Sequence, residues 1–313
     1  MKILIGYEGS SAGEAAVADA ARAGLPLEGE ATVLTVADVL PPADEPPPAS
    51  IVRAMPALAL AQERAKKSVA EAAQQARRGA DAVRAVLPGW RVTAESTADA
   101  PAWALFKKAR DAGADLVIVG CRPQSGLARW VLGSVSQKVL AECPVSVRIA
   151  RPRAAGTAGP LRVLLAVDGS ADAERAVATV LERRWPPQTA VRVVAAVDDR
   201  MRQAPLTVPS LARWMLPTDT APDAWIGRYV ESVERRLTEK GLAASGRVRP
   251  GDPRTVILDQ AKRWRADAIF LGARGLGRWE RVLLGSVSAA VAARASCSVE
   301  VVRAGRRPGR DGF

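Results

Sequence analysis

Short apolar runs recur along this chain, and stretches with the composition of a helix follow them. The run from Lys2 to Ser10 aligns without gaps with the run from Arg162 to Ser170, and each ends in an acid followed by Gly-Ser. Apolar runs that do not alternate with polar residues are typical of strands buried on both faces of a parallel sheet. Alanine-rich stretches at 14–23 and 171–182 predict the helices that follow.

The same order of elements continues through each half of the chain. Further strands are predicted at 31–37, 90–95, 115–120 and 145–149, and at 191–197, 247–249, 267–272 and 299–302. Long helices are predicted at 58–86 and 224–240. The segments 41–56 and 199–223 predict irregular loops or lids, because proline disfavours regular structure there.

The two halves are copies of one unit. Nearly half of the aligned positions between 114–136 and 266–288 are identical, which indicates duplication. We predict domains at 1–150 and 161–304, a linker at 151–160 and a basic tail at 305–313. Strands that alternate with helices through right-handed crossovers form α/β domains of the Rossmann-like, doubly wound kind. Such domains bind ligands beyond the carboxyl ends of their strands.

The composition excludes some classes of catalytic function and indicates a cellular compartment. The 313 residues suffice for two cores, and the chain has no histidine, which excludes Ser-His-Asp and Cys-His catalysis. Three cysteines without a zinc or Cys-x-x-Cys spacing favour a reduced compartment, so the cytoplasm is the expected location. No apolar run approaches the roughly 20 residues of a membrane span, and the start of the sequence lacks the layout of a signal peptide.

The net charge of +12 indicates an anionic partner, either a nucleotide or a nucleic acid. Basic residues are scattered along the sequence apart from the stretch 303–310, and they do not alternate with aromatic residues. Nucleic acid is therefore not the expected partner.

A glycine-rich segment, present in both halves, carries the candidate chemistry. In the second half it consists of Gly272, two residues, Gly275, nine residues, and then Gly285-Ser286. Glycine allows φ > 0 and close approach to a ligand, and the first amides of a helix attract an anion. Turns and helix caps explain each residue alone, but their combination at this spacing, found twice, favours a phosphate site. Hydroxyls of Ser286 and Ser288 and the arginines at 274, 278 and 281 would add donors and charge.

Other residues are expected at the same site. Asp168 ends the first strand of the second half, and its carboxylate suits the hydroxyls of a ribose. Backbone groups near Ala196 suit adenine. The candidate residues of the second half are Ala166, Val167, Asp168, Ala196, Gly272, Arg274, Gly275, Gly285, Ser286, Val287 and Ser288.

These segments resemble the universal stress protein family in a tandem arrangement. The motif G-x2-G-x9-G-[ST] of its ATP-binding members matches the segment that begins at Gly272, and 167–170 and 251–253 match as well. The resemblance covers nearly the whole chain. It implies five-stranded parallel sheets flanked by helices and paired through their last strands. It also implies a stress-response regulator that binds ATP. The sequence has no G-x4-G-K-[ST] loop, no lysine in the turn and no evident pair of acids for two metals, so we expect slow ATP hydrolysis at most, with Mg²⁺ as a companion of the triphosphate.

The first half departs from the motif. Glu8 stands in place of Asp168, and Pro123 stands in place of Gly275. Proline lacks an N–H and fixes φ, so we expect a weakened or empty site there. The candidate residues of this weaker site are Glu8, Val36, Gly120, Gly126, Gly133, Ser134, Val135 and Ser136.

Three functions stay open on the sequence alone: an ATP-binding regulator, a nucleotide-free module that dimerises, and a basic protein that binds nucleic acid. One ligand-binding half and one structural half fit the motifs best. A homodimer and an unidentified protein partner also stay open.

Overall fold

The computed structural model describes residues 1–41, 55–123, 130–153, 159–221, 223–276 and 284–304, so the loop predicted at 41–56 falls mostly outside them. The first half contains β1 (Lys2–Gly6), α1 (Ser11–Ala20), β2 (Gly29–Ala37), α2 (Pro56–Val86), β3 (Trp90–Ala98), α3 (Pro101–Asp111), β4 (Leu116–Gly120), β5 (Arg122–Pro123), β6 (Trp130–Val131), α4 (Ser134–Glu142) and β7 (Ser146–Ala150). The second half contains β8 (Arg162–Ala166), α5 (Ala171–Glu182), β9 (Ala190–Val197), α6 (Asp199–Thr207), α7 (Pro209–Ala212), α8 (Ala224–Glu239), β10 (Ala243–Pro250), α9 (Pro253–Trp264), β11 (Ala268–Gly272), α10 (Ser286–Arg294) and β12 (Ser298–Val302).

One ten-stranded sheet runs through both halves in the order β10-β9-β8-β11-β12-β7-β4-β1-β2-β3. Within this sheet the strands of each half pair in parallel, whereas β7 and β12 pair antiparallel at the junction. The predicted α/β class with two doubly wound, five-stranded units is confirmed, and the last strands of the two halves pair with each other. One apolar cluster crosses this junction and includes Val147, Ile149, Val299 and Val301.

Capping residues decide where the helices begin. The hydroxyls of Ser10 and Ser170 accept backbone N–H bonds at the starts of α1 and α5. Helix α1 therefore starts at Ser11, earlier than the predicted start at residue 14. Asp252 caps α9, and Pro253 occupies the first turn, where its missing N–H costs no hydrogen bond.

The segment after β9 is helical, so the irregular loop predicted at 199–223 is wrong over α6 and α7. Asp198 caps α6 by accepting a hydrogen bond from the Met201 N at 2.9 Å. Met201, Ala204 and Leu211 are buried. Burial of these apolar side chains compensates for the unfavourable Pro205 inside α6. A prediction from proline content alone does not include this burial.

Buried ion pairs join the two halves. Arg148 Nε lies 2.6 Å from Asp19 Oδ2, and Arg148 Nη1 lies 3.1 Å from Glu300 Oε2. Arg183 Nη2 lies 2.6 Å from Glu300 Oε1. Arg148 and Glu300 occupy equivalent positions of the repeat and face each other across the junction. The same pairing between two identical halves would bring like charges together, so the two halves have become complementary.

Arg303, the first residue of the basic stretch 303–310, is packed against the first half across the junction. It is buried, its N donates to Ser146 Oγ at 3.1 Å, and its guanidinium donates to the carbonyl oxygen of Val145 at 3.3 Å. Residues 305–313, predicted as the tail, lie outside the described residues.

Candidate functional site

A cavity of about 440 Å³ opens at the carboxyl ends of β8, β9 and β11. Its volume lies in the range of small-molecule sites, about 300–1,000 Å³. Parallel strands bring distant parts of the sequence together at this edge of the sheet. All the candidate residues of the second half line the cavity, namely Ala166, Val167, Asp168, Ala196, Gly272, Arg274, Gly275, Gly285, Ser286, Val287 and Ser288.

Asp168 is a half-buried carboxylate in the cavity wall. Its Oδ1 accepts a hydrogen bond from the Ser170 N at 3.0 Å, and its Oδ2 accepts one from the Leu276 N at 3.2 Å. Burial raises the pKa of Asp168 above its ordinary value, although these hydrogen bonds act in the opposite direction. The helix cap is Ser170 and not Asp168. The carboxylate is thus held in one orientation, with lone pairs left for a ligand hydroxyl.

The first two glycines of the motif allow close packing rather than an unusual backbone angle. The expectation of φ > 0 is wrong for Gly272 and Gly275, since neither has a positive φ. A Cβ at Gly272 would lie 2.5 Å from the carbonyl carbon of Asp172, and a Cβ at Gly275 would lie 2.6 Å from Asp168 Oδ2. Gly272 therefore lets α5 approach β11, and Gly275 lets the turn pass beside the Asp168 carboxylate.

The N-terminus of α10 faces the cavity. Gly285 is its N-cap, Ser286 is its first helical residue, and no side chain in the described part of the protein caps its amides. The Ser288 hydroxyl, which we expected to contact phosphate, is buried and donates to the carbonyl oxygen of Ala273 at 2.7 Å. Ser288 therefore braces the glycine-rich turn against the helix, and the groups of this helix that can attract an anion are its first backbone N–H groups.

Two arginines give the cavity wall positive charge. Arg274 Nε lies 3.1 Å from Asp172 Oδ2, so part of its charge is balanced. Arg200, which the sequence did not single out, comes from α6. The arginines at 278 and 281 lie outside the described residues. Among the residues that the structure describes, no group of three or more His, Cys, Asp or Glu side chains is placed to hold a metal ion.

Sequence reasoning also missed the apolar part of the wall. Met201, Pro253 and Ile257 line the cavity, together with the acid Asp198 at the end of β9. Asp198 was visible as an acid after a predicted strand, and Pro253 was visible in the Gly-Asp-Pro turn. Met201 could not be predicted as part of the wall, because it lies on helix α6 and the prolines of that segment predicted a loop. An apolar wall with a few fixed polar groups is typical of sites for small organic ligands.

The first half keeps the backbone arrangement of this site but differs in several of the residues around it. Gly133 is the N-cap of α4, Ser134 opens it and half-buried Val135 follows, while the Ser136 hydroxyl donates to the Gly120 carbonyl at 2.8 Å. A Cβ at Gly120 would lie 1.9 Å from the carbonyl oxygen of Ala12, the same close packing as at Gly272.

The differences lie in the carboxylate and the turn. Glu8 is exposed and accepts a hydrogen bond from the Ser10 hydroxyl, which caps its own helix. Pro123 pairs with Trp130, so a small two-stranded hairpin takes the place of the second glycine. Val36 is half-buried at the end of β2, and Gly126 lies outside the described residues.

Fold and site together define a duplicated Rossmann-like protein in which one copy keeps a complete glycine-rich turn beside a cavity. The profile described as "Universal stress protein family" matches residues 1–151 and 161–303. The chain belongs to the universal stress protein family.

Relatives agree with this assignment. A universal stress protein of Mycolicibacterium smegmatis is 28% identical over 96% of this chain and 96% of its own length. A universal stress protein of Synechocystis is 40% identical over 24% of this chain, and this match spans 49% of that relative's length. The crystal structure of a universal stress protein from Archaeoglobus fulgidus covers 97% of each chain, with a TM-score of 0.59 and 20% identity, which supports the fold. No helix among the described residues is long and apolar enough to cross a membrane.

Proposed function

We propose that the second half binds an adenine nucleotide, with ATP as the principal ligand, and that the chain is a nucleotide-responsive regulator in the stress response. The observation that carries the proposal is the convergence of the complete glycine motif, the N-terminus of α10 and Asp168 on one cavity. The cavity suits a ligand that joins an anion to a hydroxyl-bearing group.

The phosphates are assigned to the N-terminus of α10. Its first amides have no partner within the helix, and the helix dipole adds positive potential there. Arg274 and Arg200 supply further positive charge from the wall. A Mg²⁺ ion would arrive with the triphosphate, held by phosphate oxygens and water as Mg²⁺ commonly is.

The nucleoside is assigned to the ends of β8 and β9. Asp168 is oriented by two backbone N–H groups and can accept bonds from ribose hydroxyls. We assign the edge of adenine to backbone groups beside Ala196 and its ring to the apolar surface of Met201 and Ile257, all of which line the cavity. Asp198 lines the same wall, although its carboxylate already caps α6.

The first half is proposed to be mainly structural, with weak nucleotide binding at most. Its turn is a hairpin through Pro123, and its carboxylate, Glu8, is exposed. The last strands already pair with each other inside the chain, so a homodimer would use another surface. The glycine-rich segment is not a G-x4-G-K-[ST] loop and contains no lysine, so the proposal includes no more than slow ATP hydrolysis. The three cysteines are buried and no disulfide joins them, which suits the reducing cytoplasm.

Calorimetric titration with ATP tests the proposal. We expect micromolar binding to the wild-type protein, about −8 kcal/mol. Gly275→Ala should weaken binding at least tenfold. The added Cβ would lie only 2.6 Å from Asp168 Oδ2, so the carboxylate would have to move. Asp168→Asn should weaken binding as well. Glu8→Gln, the same change at the matching position of the first half, is the control and should leave affinity unchanged.

Two results would contradict the proposal. One is no heat and no thermal shift with ATP up to millimolar concentration. The other is an equal loss of affinity in Glu8→Gln and Asp168→Asn, which would place the nucleotide in both halves or at neither predicted site.

A further inference from the structure

Four arginines that are far apart in the sequence meet on one face of the sheet near its β10 edge. Arg162 is level with Ala190 on β9, two residues before Arg192. Arg192 is level with Ser245 on β10, two residues before Arg247 and four before Arg249. Because successive side chains of a strand point to opposite faces, these even spacings put all four on the same face. The row runs over about 20 Å, since each residue advances a strand by about 3.3 Å.

None of these four guanidiniums pairs with a carboxylate among the described residues. Arg162 donates to the Trp264 carbonyl at 3.1 Å, Arg247 to the Gly246 carbonyl at 2.6 Å, and Arg249 to the Val248 carbonyl at 3.0 Å. The buried Nε of Arg192 has no hydrogen-bond partner within the described ranges of the chain. Burial and then the charges of the other three arginines lower the pKa of Arg192 below its ordinary value. The row is a concentration of uncompensated positive charge.

Protection of the sheet edge explains only part of this row. Charged residues on an edge strand discourage pairing with other chains, and Arg247 and Arg249 could serve that purpose on β10. Arg162 and Arg192 lie on β8 and β9, which are paired on both sides, so edge protection does not require them. These arginines are diagonal neighbours on adjacent strands, and their like charges repel one another unless an anion compensates for them.

We propose that this arginine row binds the backbone of single-stranded nucleic acid. Arginine is the side chain best suited to phosphate, because its planar guanidinium can donate two parallel hydrogen bonds. The Arg192 guanidinium carbon lies 4.5 Å from the centre of the Trp264 ring. Trp264 packs against the apolar cluster, so its role is to hold the half-buried Arg192 guanidinium in place. Guanidinium planes stack unpaired bases, which favours nucleic acid over an acidic peptide. This inference does not rest on the nucleotide site and adds a second ligand to the chain.

Fluorescence anisotropy with labelled oligo(dT) of about 16 nucleotides tests the proposal, since single-strand sites span about 4–16 nucleotides. We expect the slope of log K against log salt to be close to −3, because four phosphate contacts contribute about −0.7 each. Changing Arg162, Arg192, Arg247 and Arg249 together to glutamine should reduce affinity at least tenfold and flatten this slope.

The matched control removes the same charge elsewhere. Changing Arg84, Arg91, Arg110 and Arg254 to glutamine removes four exposed cations that already pair with carboxylates, and it should change affinity less than twofold. If the fourfold row variant does not fold, the double variant Arg247→Gln/Arg249→Gln should lose about half of the salt slope.

Three results would overturn the proposal: no oligo(dT) binding by the wild type at low salt, equal losses in the row and control variants, or equally effective competition by polyglutamate. The last result would identify the partner as an acidic peptide. ATP titration of the row variant separates the two sites, since it should remain like that of the wild type.

Discussion

Replacing Arg148 by methionine should loosen the junction between the two halves. The substitution keeps most of the volume of the side chain but removes the cation between Asp19 and Glu300. Burial alone would lower the pKa of Arg148, yet the two carboxylates raise it well above its ordinary value. The cation is therefore firmly held, and its removal leaves two carboxylates in a place with almost no access to water.

The expected loss in the free energy of unfolding depends on the charges that remain around Asp19 and Glu300. The side chains of Arg148, Asp19 and Glu300 are 1%, 1% and 0% exposed. Removing one partner of a buried ion pair costs about 3–5 kcal/mol. Arg183 still neutralises Glu300, and Arg22 still lies 3.4 Å from Asp19, so we expect about 3 kcal/mol.

Urea denaturation measures this loss as a change in the free energy of unfolding. Arg110→Met is the control, because its partner Asp111 is 51% exposed and an exposed pair contributes about 0–1 kcal/mol. A loss below about 1 kcal/mol for Arg148→Met, equal to that of the control, would refute the view that these buried charges hold the halves together.

Three further predictions concern pH and the brace of the turn. Burial, followed by the hydrogen bond to Glu14, raises the pKa of Tyr7 from 10.0 to about 12. The unfolded chain ionises first, so the free energy of unfolding should fall as pH rises from 10 to 12, and less steeply in Tyr7→Phe. Acidification should weaken ATP binding more in the wild type than in Asp168→Asn, as calorimetry at several pH values would show, because Asp168 is protonated at a higher pH than an ordinary aspartate and then loses an acceptor. Ser288→Ala should weaken ATP binding in the same assay, because the turn loses its bond at 2.7 Å, whereas the matching Ser136→Ala should not.

Much of the fold could be predicted from the sequence because parallel strands buried on both faces are continuous apolar runs. The duplication then fixed which runs correspond. Helices α6 and α7 were missed, since their stability comes from the burial of Met201 and Leu211 and not from local propensity. The complementary charges of Arg148 and Glu300 were visible as different residues at equivalent positions inside apolar strands, a signal that sequence reasoning passed over.

The candidate site was predictable where backbone chemistry dominates. Glycines and an acid at strand ends identified Asp168, Gly275 and the start of α10. The roles of individual residues could not be predicted from the sequence. Only the packing shows that Gly272 makes room for α5 and that the Ser288 hydroxyl donates to a carbonyl. The arginine row was invisible, because it depends on the register between strands and not on spacing along the chain.

The number of nucleotides bound per chain tests the central claim most directly. Native mass spectrometry of the protein, purified without added nucleotide and then mixed with ATP, should show one nucleotide on each chain, and Gly275→Pro should remove it. A chain that stays free of nucleotide at millimolar ATP would contradict the assignment of the cavity. Two nucleotides bound with equal affinity would contradict the division into one binding half and one structural half.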